Sequence, residues 1–257
     1  MNRLREIIAR KSDEIALTKR REAEFRAQAE RRSEFRDFAS AVKRTGGPLK
    51  IIAEMKRASP SAGMIASDYQ PDFIARRYET GGADAVSVLT EKNYFLGSLD
   101  HLIAARASIT LPVLRKDFIV EEAQVFESAA SDADAILLIV AALEPKQLQL
   151  LHASATANRL SVLVEVHTAD EIQIAVDAGA RIIGINNRDL VTFTVDLGIT
   201  EKLLPRVPTG ITVVSESGIQ NAKDIARISE FAVDALLIGE SLMRTDAQGL
   251  AKMLAKS

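Results

Sequence analysis

The chain contains no cysteine, and its 257 residues include only three histidines, His101, His152 and His167. A protein without cysteine has no disulfide framework, no thiolate nucleophile and no metal site built on thiolates. The histidines lack metal-ligand spacing such as His-Glu-x-x-His, so we expect no metal site. The sequence also lacks Gly-x-Gly-x-x-Gly, Gly-x-x-x-x-Gly-Lys and Gly-x-Ser-x-Gly. These absences argue against a dinucleotide fold, a phosphate-loop NTPase and a serine hydrolase.

Long apolar runs are missing as well. No stretch approaches the roughly 18 apolar residues of a membrane span, and no apolar segment near the N-terminus predicts a secretory signal. Apolar residues make up 47% of the chain and charged residues 26%, which is ordinary for a globular protein and excludes collagen-like, mucin-like and disordered classes. Together with the absence of cysteine, these features lead us to expect a cytoplasmic protein.

The charge is unevenly distributed, although 33 basic and 35 acidic side chains give a net charge of only −2. Residues 1–48 carry 13 basic and 8 acidic side chains (+5), whereas residues 49–257 carry 20 and 27 (−7). A basic N-terminal segment can bind nucleic acid or anionic lipid. The signs are mixed within it, however, as in Lys19, Arg20, Arg21, Glu22 and Glu24. This mixing is typical of a solvated helix face, so we expect neither nucleic acid nor membrane as a partner.

Residues 3–43 contain no proline and no glycine. Apolar side chains recur there at helical spacing, as at Leu4 and Ile7 and again at Phe35 and Phe38, which predicts two or three short helices. The sequence Thr-Gly-Gly-Pro at 45–48 ends the last of them. We therefore predict an N-terminal helical extension over residues 1–48. It could cover the mouth of the main domain, cap its other end or form a dimer contact.

From residue 49 the pattern changes to short, β-branched apolar runs, each followed by an amphipathic stretch of helical period. This alternation predicts βαβ units and a parallel sheet covered on both faces. Eight units favour a closed (β/α)₈ barrel over residues 49–257 rather than an open doubly wound sheet, with one structural domain overall. The predicted strands are 49–54, 85–89, 112–116, 135–140, 161–166, 181–186, 211–216 and 235–239.

Polar side chains stand at the ends of these runs, where a barrel gathers side chains at one mouth. Strand alternation places Glu54 and Lys56 on the face of Ile52, whereas Arg115 has the opposite parity to Lys116 and is expected to be structural. Gathering two lysines and three glutamates at one mouth is costly unless they pair or act. The inward candidates are Glu54, Lys56, Lys116, Glu165, Asn186 and Glu216.

Two further segments predict binding functions. Glycine-containing turns follow runs seven and eight, with Ser217 and Gly218 in one and Gly239 and Glu240 in the other. The corresponding loops of barrels often bind phosphate through backbone N–H groups. The loop after run one, residues 56–65, is rich in small residues and includes Ser59, so we expect it to position a substrate or act as a lid.

Residues 51–61, Ile-Ile-Ala-Glu-Met-Lys-Arg-Ala-Ser-Pro-Ser, closely resemble the signature of the indole-3-glycerol phosphate synthase family. Six more stretches match family motifs in the same order: 89–98, 114–119, 163–166, 184–190, 215–219 and 237–243. The resemblance is strong over about residues 35–245, and residues 4–16 resemble the N-terminal helix of the family. It implies a (β/α)₈ barrel with an N-terminal helical extension, in agreement with the pattern.

The resemblance also implies a reaction without a cofactor, in tryptophan biosynthesis. In it, 1-(2-carboxyphenylamino)-1-deoxyribulose 5-phosphate closes to indole-3-glycerol phosphate, carbon dioxide and water. Lys116 matches the catalytic lysine of the family, Glu165 its catalytic glutamate and Lys56 the lysine that holds the substrate carboxylate. Groups that orient the lysines and the substrate would be Glu54, Asn186, Glu216 and Arg188, with Phe95 stacking on the aromatic ring. The phosphate would rest on Ser217, Gly218, Gly239 and the backbone of Glu240, with Ser59 in the neighbouring loop.

Two other functions remain open at this point. A sugar-phosphate isomerase or aldolase can have the same fold, and borohydride trapping of a Schiff base on Lys116 would identify an aldolase. An inactive scaffold subunit could dock a partner through the N-terminal helices, although it would have no need of the strand-end lysines and glutamates. The resemblance places residues 35–44 near the mouth. We expect a monomer or a weak homodimer acting on a small phosphorylated substrate.

Overall fold

Eight parallel strands close into a barrel in the computed structural model, which describes residues 3–189, 192 and 194–245. Leu190, the last residue of one family motif, lies outside the described residues. Each strand pairs with the next along the chain, and the last pairs with the first. The predicted (β/α)₈ barrel is therefore confirmed. The strands are β1 (Lys50–Met55), β2 (Ala85–Leu89), β3 (Val113–Lys116), β4 (Ala135–Ile139), β5 (Ser161–Val166), β6 (Ile182–Asn186), β7 (Thr212–Glu216) and β8 (Ala235–Ile238).

Helices precede the barrel and alternate with its strands. Within the described residues the N-terminal extension forms α1 (Arg3–Arg10), α2 (Ser12–Arg20), α3 (Glu22–Arg31) and the short α4 (Phe38–Val42), one helix more than the sequence pattern predicts. The helices that follow the eight strands in turn are α5 (Pro71–Thr80), α6 (Leu99–Ser108), α7 (Glu122–Ala130), α8 (Pro145–Ala157), α9 (Ala169–Asp177), α10 (Gly198–Leu203), α11 (Ala222–Ser229) and α12 (Glu240–Arg244).

Strand alternation separates two apolar cores. Ile52 and Leu163 point into the barrel, whereas Ile51 and Val164 pack between the strands and the helices. This confirms the predicted parity, which turns Glu54 and Glu165 inward at the ends of their strands. Arg115 faces the helices as expected, where its guanidinium lies 2.9 Å from the carboxylate of Glu127.

The end of the barrel at which the strands begin is closed by α4. Phe38 and Val42 are fully buried and pack inside it against small residues such as Ala85 and Ala135. Asp234, the residue before β8, accepts the backbone N–H of Arg44 at 3.0 Å. The expectation that residues 35–44 lie near the mouth is therefore wrong. They cap the opposite end, because the alanines at the strand starts leave an opening that aromatic and branched side chains fill.

The first helix of the extension lies at the other end. Leu4 and Ile7 of α1 are buried and line the cavity at the strand carboxyl ends, while α3 packs along α7 on the outside of the barrel. Between them, Lys11 is fully buried and its Nζ lies 2.8 Å from Asp117 Oδ1. The extension thus covers the mouth with one end and closes the bottom with the other.

Candidate active site

A cavity of about 480 Å³ opens where the barrel strands end. The structure brings twelve of the thirteen sequence-predicted site residues to its wall: Glu54, Lys56, Phe95, Lys116, Glu165, Asn186, Arg188, Glu216, Ser217, Gly218, Gly239 and Glu240. Ser59 is not among the described residues that line it. The Ser59 hydroxyl is buried within its own loop, where it accepts the backbone N–H of Ala62 at 3.1 Å. The adjacent Pro60 lines the cavity instead.

The two lysines of the cavity are each paired with carboxylates. Lys116 Nζ lies 3.4 Å from Glu165 Oε2 and 3.6 Å from Glu216 Oε2. Lys56 Nζ lies 2.6 Å from Glu54 Oε1. The three glutamates are only 1–3% exposed, so these contacts offset much of the cost of removing their charges from water.

The two glutamates beside Lys116 differ in their readiness to ionise. Burial raises the pKa of Glu216 to about 8, and repulsion by Glu165 and Glu54 adds to this effect against the attraction of Lys116. Burial also opposes the charge of Glu165, but the charges of Lys116 and His167 outweigh it and lower its pKa. At neutral pH one carboxyl group can therefore hold a proton while its neighbour accepts one, which is the arrangement of an acid–base site.

Lys116 itself stays charged. Burial disfavours its ammonium form, yet the charges of Glu165, Glu216 and Glu54 outweigh burial and raise the pKa of Lys116 above its ordinary value. A protonated lysine at the centre of three carboxyl groups can donate a proton to a substrate oxygen and recover one from a neighbouring carboxyl group.

Two glycines make room for the buried carboxylates. A Cβ atom at Gly184 would collide with Glu216 Oε1, and a Cβ atom at Gly239 would collide with Glu54 Oε1. The sequence pattern predicts Gly239 for a close approach to phosphate, but it does not indicate the contact of Gly239 with Glu54. Gly184 was not predicted as a site residue at all. Both depend on packing across neighbouring strands, which a sequence pattern does not express.

The loops after β7 and β8 form one side of the mouth. Ser217 and Gly218 adopt left-handed backbone conformations with φ values of 64° and 90°. A Cβ atom at Gly218 would also approach Val195 Cγ1 to 2.6 Å, so glycine is required there. The Ser241 hydroxyl donates to the carbonyl of Ile219 at 2.9 Å and joins the two loops.

The side chain of Glu240 forms an ion pair with Arg244. Its Oε1 accepts a hydrogen bond from Arg244 Nε at 3.2 Å, one turn along α12, and both side chains are about half exposed. Arg244 also lines the cavity. This pairing neutralises the carboxylate beside the loops that were predicted to hold a phosphate.

Aromatic and apolar groups form the other side. The rings of Phe95 and Phe118 lie 6.3 Å apart, tilted by 39°, and both line the cavity. Glu91 holds the loop that carries Phe95, since its carboxylate accepts the backbone N–H groups of Tyr94 and Phe95 at 2.7 and 3.0 Å. Phe118 was missed as a site residue. Its position two residues after Lys116, just beyond the end of β3, is the signal that could have identified it.

The N-terminal helix contributes wall residues that sequence reasoning also missed. Arg3, Leu4 and Ile7 of α1 line the cavity. The Tyr94 hydroxyl donates to Glu6 Oε1 at 2.8 Å, which fastens α1 to the loop after β2. The amphipathic pattern of α1 indicated a helix, but it did not indicate which end of the barrel the helix would cover.

Two features are absent from the part of the chain that the structure describes. Within residues 3–189, 192 and 194–245, no group of three or more histidine, aspartate or glutamate side chains could hold a metal ion. In the same part of the chain, no helix has the length and apolar character needed to cross a membrane.

Comparison with known protein families gives a match along nearly the whole chain. The family model described as indole-3-glycerol phosphate synthase matches residues 4–254. A protein of that name from Chlorobium phaeovibrioides is 46% identical over 244 residues, covering 94% of this chain and 95% of that protein. One from Chlorobium phaeobacteroides is 54% identical over 207 residues, covering 80% of each chain. Indole-3-glycerol phosphate synthase 2 of Streptomyces coelicolor is 50% identical over 214 residues, covering 83% and 82%.

Solved structures with low sequence identity share the barrel. KGPDC from Streptococcus mutans superposes with a TM-score of 0.63 at 12% identity, covering 81% of this chain and 97% of that one. N-acetylmannosamine-6-phosphate 2-epimerase from Clostridium perfringens superposes with a TM-score of 0.62 at 16% identity, covering 83% and 93%. At these identities the likeness concerns the fold alone.

Proposed function

The chain belongs to the indole-3-glycerol phosphate synthase family, and on that premise we propose how its cavity carries out the reaction. The enzyme closes the ring of 1-(2-carboxyphenylamino)-1-deoxyribulose 5-phosphate in tryptophan biosynthesis. The aromatic carbon that bears the carboxylate attacks the ribulose carbonyl, carbon dioxide leaves, and loss of the hydroxyl group gives indole-3-glycerol phosphate. The reaction therefore needs an acid at the carbonyl oxygen, an acid for the departing hydroxyl and a base for the final proton.

We assign the acid at the oxygen to Lys116. The observation that carries this proposal is the position of its ammonium group, 3.4 Å from Glu165 and 3.6 Å from Glu216 at the centre of the cavity. These carboxyl groups keep Lys116 protonated until an oxygen of higher basicity develops beside it. Glu216, or Glu165 once it has taken up a proton, can then return a proton to the amine.

Glu165 is the base in this proposal. Lys116 and His167 hold its pKa below the ordinary value despite burial, so it enters the reaction ionised. It removes the proton whose loss completes the aromatic ring. Glu216, whose pKa burial raises, is the carboxyl group that can donate a hydrogen bond to a substrate hydroxyl.

Lys56 and Glu54 form the carboxylate-binding side. The Lys56 side chain is 18% exposed, and its Nζ is anchored by Glu54 at 2.6 Å, which leaves further donors of the ammonium group to meet the substrate carboxylate. Asn186 and Arg188 follow β6, and the carbonyl oxygen of the Asn186 side chain accepts the backbone N–H of Arg188 at 3.0 Å. We propose that they contact the substrate hydroxyls, with Phe95 against the aromatic ring.

The phosphate lies, in this proposal, at the loops after β7 and β8. Ser217 and Gly218 present a left-handed turn to the cavity, and Gly239 and Glu240 begin the adjacent loop after β8. The phosphate would meet the backbone N–H groups of these four residues. Pairing of the Glu240 carboxylate with Arg244 removes the repulsion that a bare carboxylate would exert on the phosphate. Ser59 is proposed to act by shaping the loop after β1, since its hydroxyl bonds within that loop.

The test is turnover of the carboxyphenylamino-deoxyribulose phosphate, followed by indole fluorescence. The chain has no tryptophan, so the protein contributes little background. Lys116→Ala and Glu165→Gln are expected to lower kcat by at least about a hundredfold, as the loss of a positioned acid or base does. Lys19→Met, on an outer helix, is the matched control. Near-normal turnover by Lys116→Ala would refute the assignment, and trapping of substrate on Lys116 by borohydride would point to an aldolase.

We propose further that the chain acts in the cytoplasm as a monomer or weak homodimer and binds no nucleic acid. Several basic side chains of the extension are engaged in ion pairs, such as Arg21 with Glu24 at 2.8 Å and Lys19 with Glu121 at 3.1 Å. We also propose that residues 1–48 fold together with the barrel of residues 49–257, because Lys11 is buried against it. Sedimentation analysis with and without DNA would test the oligomeric state and nucleic acid binding.

A further inference from the structure

His167 lies directly beside Glu165 at the end of β5. It follows β5 two residues after Glu165, so the two side chains have the same parity. Its Nε2 lies 3.5 Å from Glu165 Oε1, and its Nδ1 lies 3.5 Å from Glu171 Oε2. The imidazole is 12% exposed, and His167 is not among the described residues that line the cavity. A histidine ring thus separates the buried carboxylate from a second carboxylate closer to the surface.

Glu171 is held in place at the start of α9. Its backbone N–H donates to the Thr168 hydroxyl at 3.2 Å, which caps the helix. Its own Oε2 accepts the backbone N–H of His167 at 2.6 Å. The Glu171 side chain remains 18% exposed. This carboxylate therefore contacts both solvent and the imidazole ring, and its hydrogen bond keeps it beside the ring.

Both ring nitrogens of His167 are buried, and neither has a hydrogen-bond partner within the part of the chain that the structure describes. Each is nevertheless close to a carboxylate oxygen on opposite sides of the ring. Three acidic groups face the imidazole: Glu165 on β5, Glu171 on α9 and Glu216 on β7. The turn Val140–Ala142, which packs against both β5 and α9, carries no titratable side chain. Burial disfavours the charged ring, but the contact with Glu171 and the charges of Glu165 and Glu216 outweigh it and raise the pKa of His167.

We propose that His167 is a positioning residue that orients Glu165 and passes protons between Glu171 at the surface and Glu165 in the cavity. The inference rests on the proposed role of Glu165. Each turnover consumes a proton, because the substrate enters with an ionised carboxylate and this group leaves as neutral carbon dioxide. That proton must reach the cavity while the substrate fills its mouth.

The path balances in protons. The charged imidazole transfers the proton on Nε2 to the Glu165 oxygen that faces it. The neutral carboxyl group of Glu165 then rotates and passes this proton to Lys116, which lies 3.4 Å from its other oxygen and has given its own proton to the substrate. The neutral ring then turns its bare nitrogen towards Glu171 and takes up a proton that arrives there from solvent. Glu165 and Lys116 end as they began, and one proton has entered the site.

The test compares His167→Gln and Glu171→Gln with the wild-type protein, using His152→Gln as the matched control. His152 lies in α8, outside the described cavity wall. We expect His167→Gln to lower kcat by roughly tenfold or more, with KM changed by less than about twofold. The acidic limb of the kcat/KM profile should move to higher pH, because Glu165 loses a cationic neighbour. Glu171→Gln should move the acidic limb in the same direction but by a smaller amount than His167→Gln does. His152→Gln should leave the acidic limb unchanged.

A second variant distinguishes proton transfer from a purely structural effect. His167→Ala leaves a space beside Glu165, so added imidazole should restore turnover in a saturable manner, whereas a bulkier buffer of similar basicity, such as Bis-Tris, should not. Wild-type kcat and pH profile in His167→Gln would overturn the inference. So would a loss of kcat with no shift of the acidic limb and no rescue by imidazole. If instead Glu165→Gln retained turnover, the proposed role of Glu165 would fail first.

Discussion

The carboxyl group of Glu216 occupies the space into which a side chain at Gly184 would project. Oε1 of Glu216 is closer to the Cβ position of residue 184 than two atoms can approach without displacement. The two residues lie on the neighbouring strands β6 and β7, where Gly184 is aligned with Val214, two residues before Glu216. The position of Glu216 therefore depends on two features. Gly184 on the adjacent strand has no side chain to block it, and Lys116 attracts its carboxyl group.

This contact makes Gly184→Ala a specific test of where Glu216 must lie. The added methyl group should push the carboxyl group away from Lys116 and lower kcat by roughly a hundredfold, the cost of a displacement of about 1 Å in a catalytic group. The free energy of unfolding should fall by about 1–3 kcal/mol because of overpacking. Steady-state kinetics and urea unfolding would measure both effects.

Gly198→Ala is the matched control for this substitution. Its methyl group would meet the exposed carboxylate of Asp196 at 3.1 Å, away from the cavity. A flexible exposed side chain can move aside, so the control should retain wild-type kcat. If Gly184→Ala also retained it, the position of Glu216 would not matter for the reaction.

Stability should depend on pH through Glu216. Burial raises its folded-state pKa to about 8 from 4.5. A carboxyl group with a raised folded-state pKa favours folding below its unfolded pKa, and this contribution is lost as the pH rises through the folded value. The wild-type free energy of unfolding should therefore fall, relative to that of Glu216→Gln, by at least about 1 kcal/mol from about pH 5 to about pH 9. A difference between the two proteins that did not change with pH would contradict the raised pKa.

The sequence was sufficient to predict the barrel because alternation and length are local signals. The strand ends were predicted to within two residues, and the inward parity of Glu54, Glu165 and Glu216 followed from it. Convergence of strand-end residues at one mouth then followed from the topology. What remained hidden were contacts between distant segments, such as Lys11 with Asp117, which are separated by 106 positions.

The misplaced segments have the same physical explanation. Residues 35–44 have an apolar helical pattern. It indicates that one face of the helix is buried, but it does not indicate which part of the protein covers that face. Only the small side chains at Ala85 and Ala135 determine that the opening at the strand starts can accept Phe38. Ser59 likewise belongs to a matching motif, but the hydrogen bond of its hydroxyl to Ala62 depends on the path of the loop.

Lys11→Met tests the buried ion pair between the extension and the barrel. Lys11 and Asp117 are both completely buried at 2.8 Å. Without the lysine, the single cation of Arg115 faces the carboxylates of both Asp117 and Glu127, so the free energy of unfolding should fall by about 3 kcal/mol. Lys19→Met removes a half-exposed pair with Glu121 at 3.1 Å and should cost less than about 1 kcal/mol. Equal small effects of the two substitutions would show that burial does not strengthen the first pair.

Lys11→Met should also raise the pH at which the protein unfolds in acid. Burial opposes ionisation of Asp117, but the charges of Lys11 and Arg115 prevail and lower its pKa to about 2 from 3.8. A depressed folded-state pKa stabilises the fold above the unfolded value, and this contribution is lost as the pH falls towards the folded one. Lys11→Met should therefore unfold at higher pH than the wild type in an acid titration followed by circular dichroism. An unchanged midpoint would indicate that Arg115 alone holds Asp117 ionised.

Phe38→Ala tests whether the two ends of the extension have separate functions. Phe38 is fully buried at the end of the barrel opposite the proposed catalytic residues. Its truncation should lower the free energy of unfolding by about 3–5 kcal/mol through lost burial and the cavity that remains. Turnover per folded molecule should stay near wild type, because the mouth is covered by α1 and not by α4.

Phe73→Ala, at a residue that is 55% exposed, is the control and should change neither quantity appreciably. If Phe38→Ala lost activity while still folded, closure of the bottom would be coupled to the catalytic end through the barrel interior, and the two functions would not be separable.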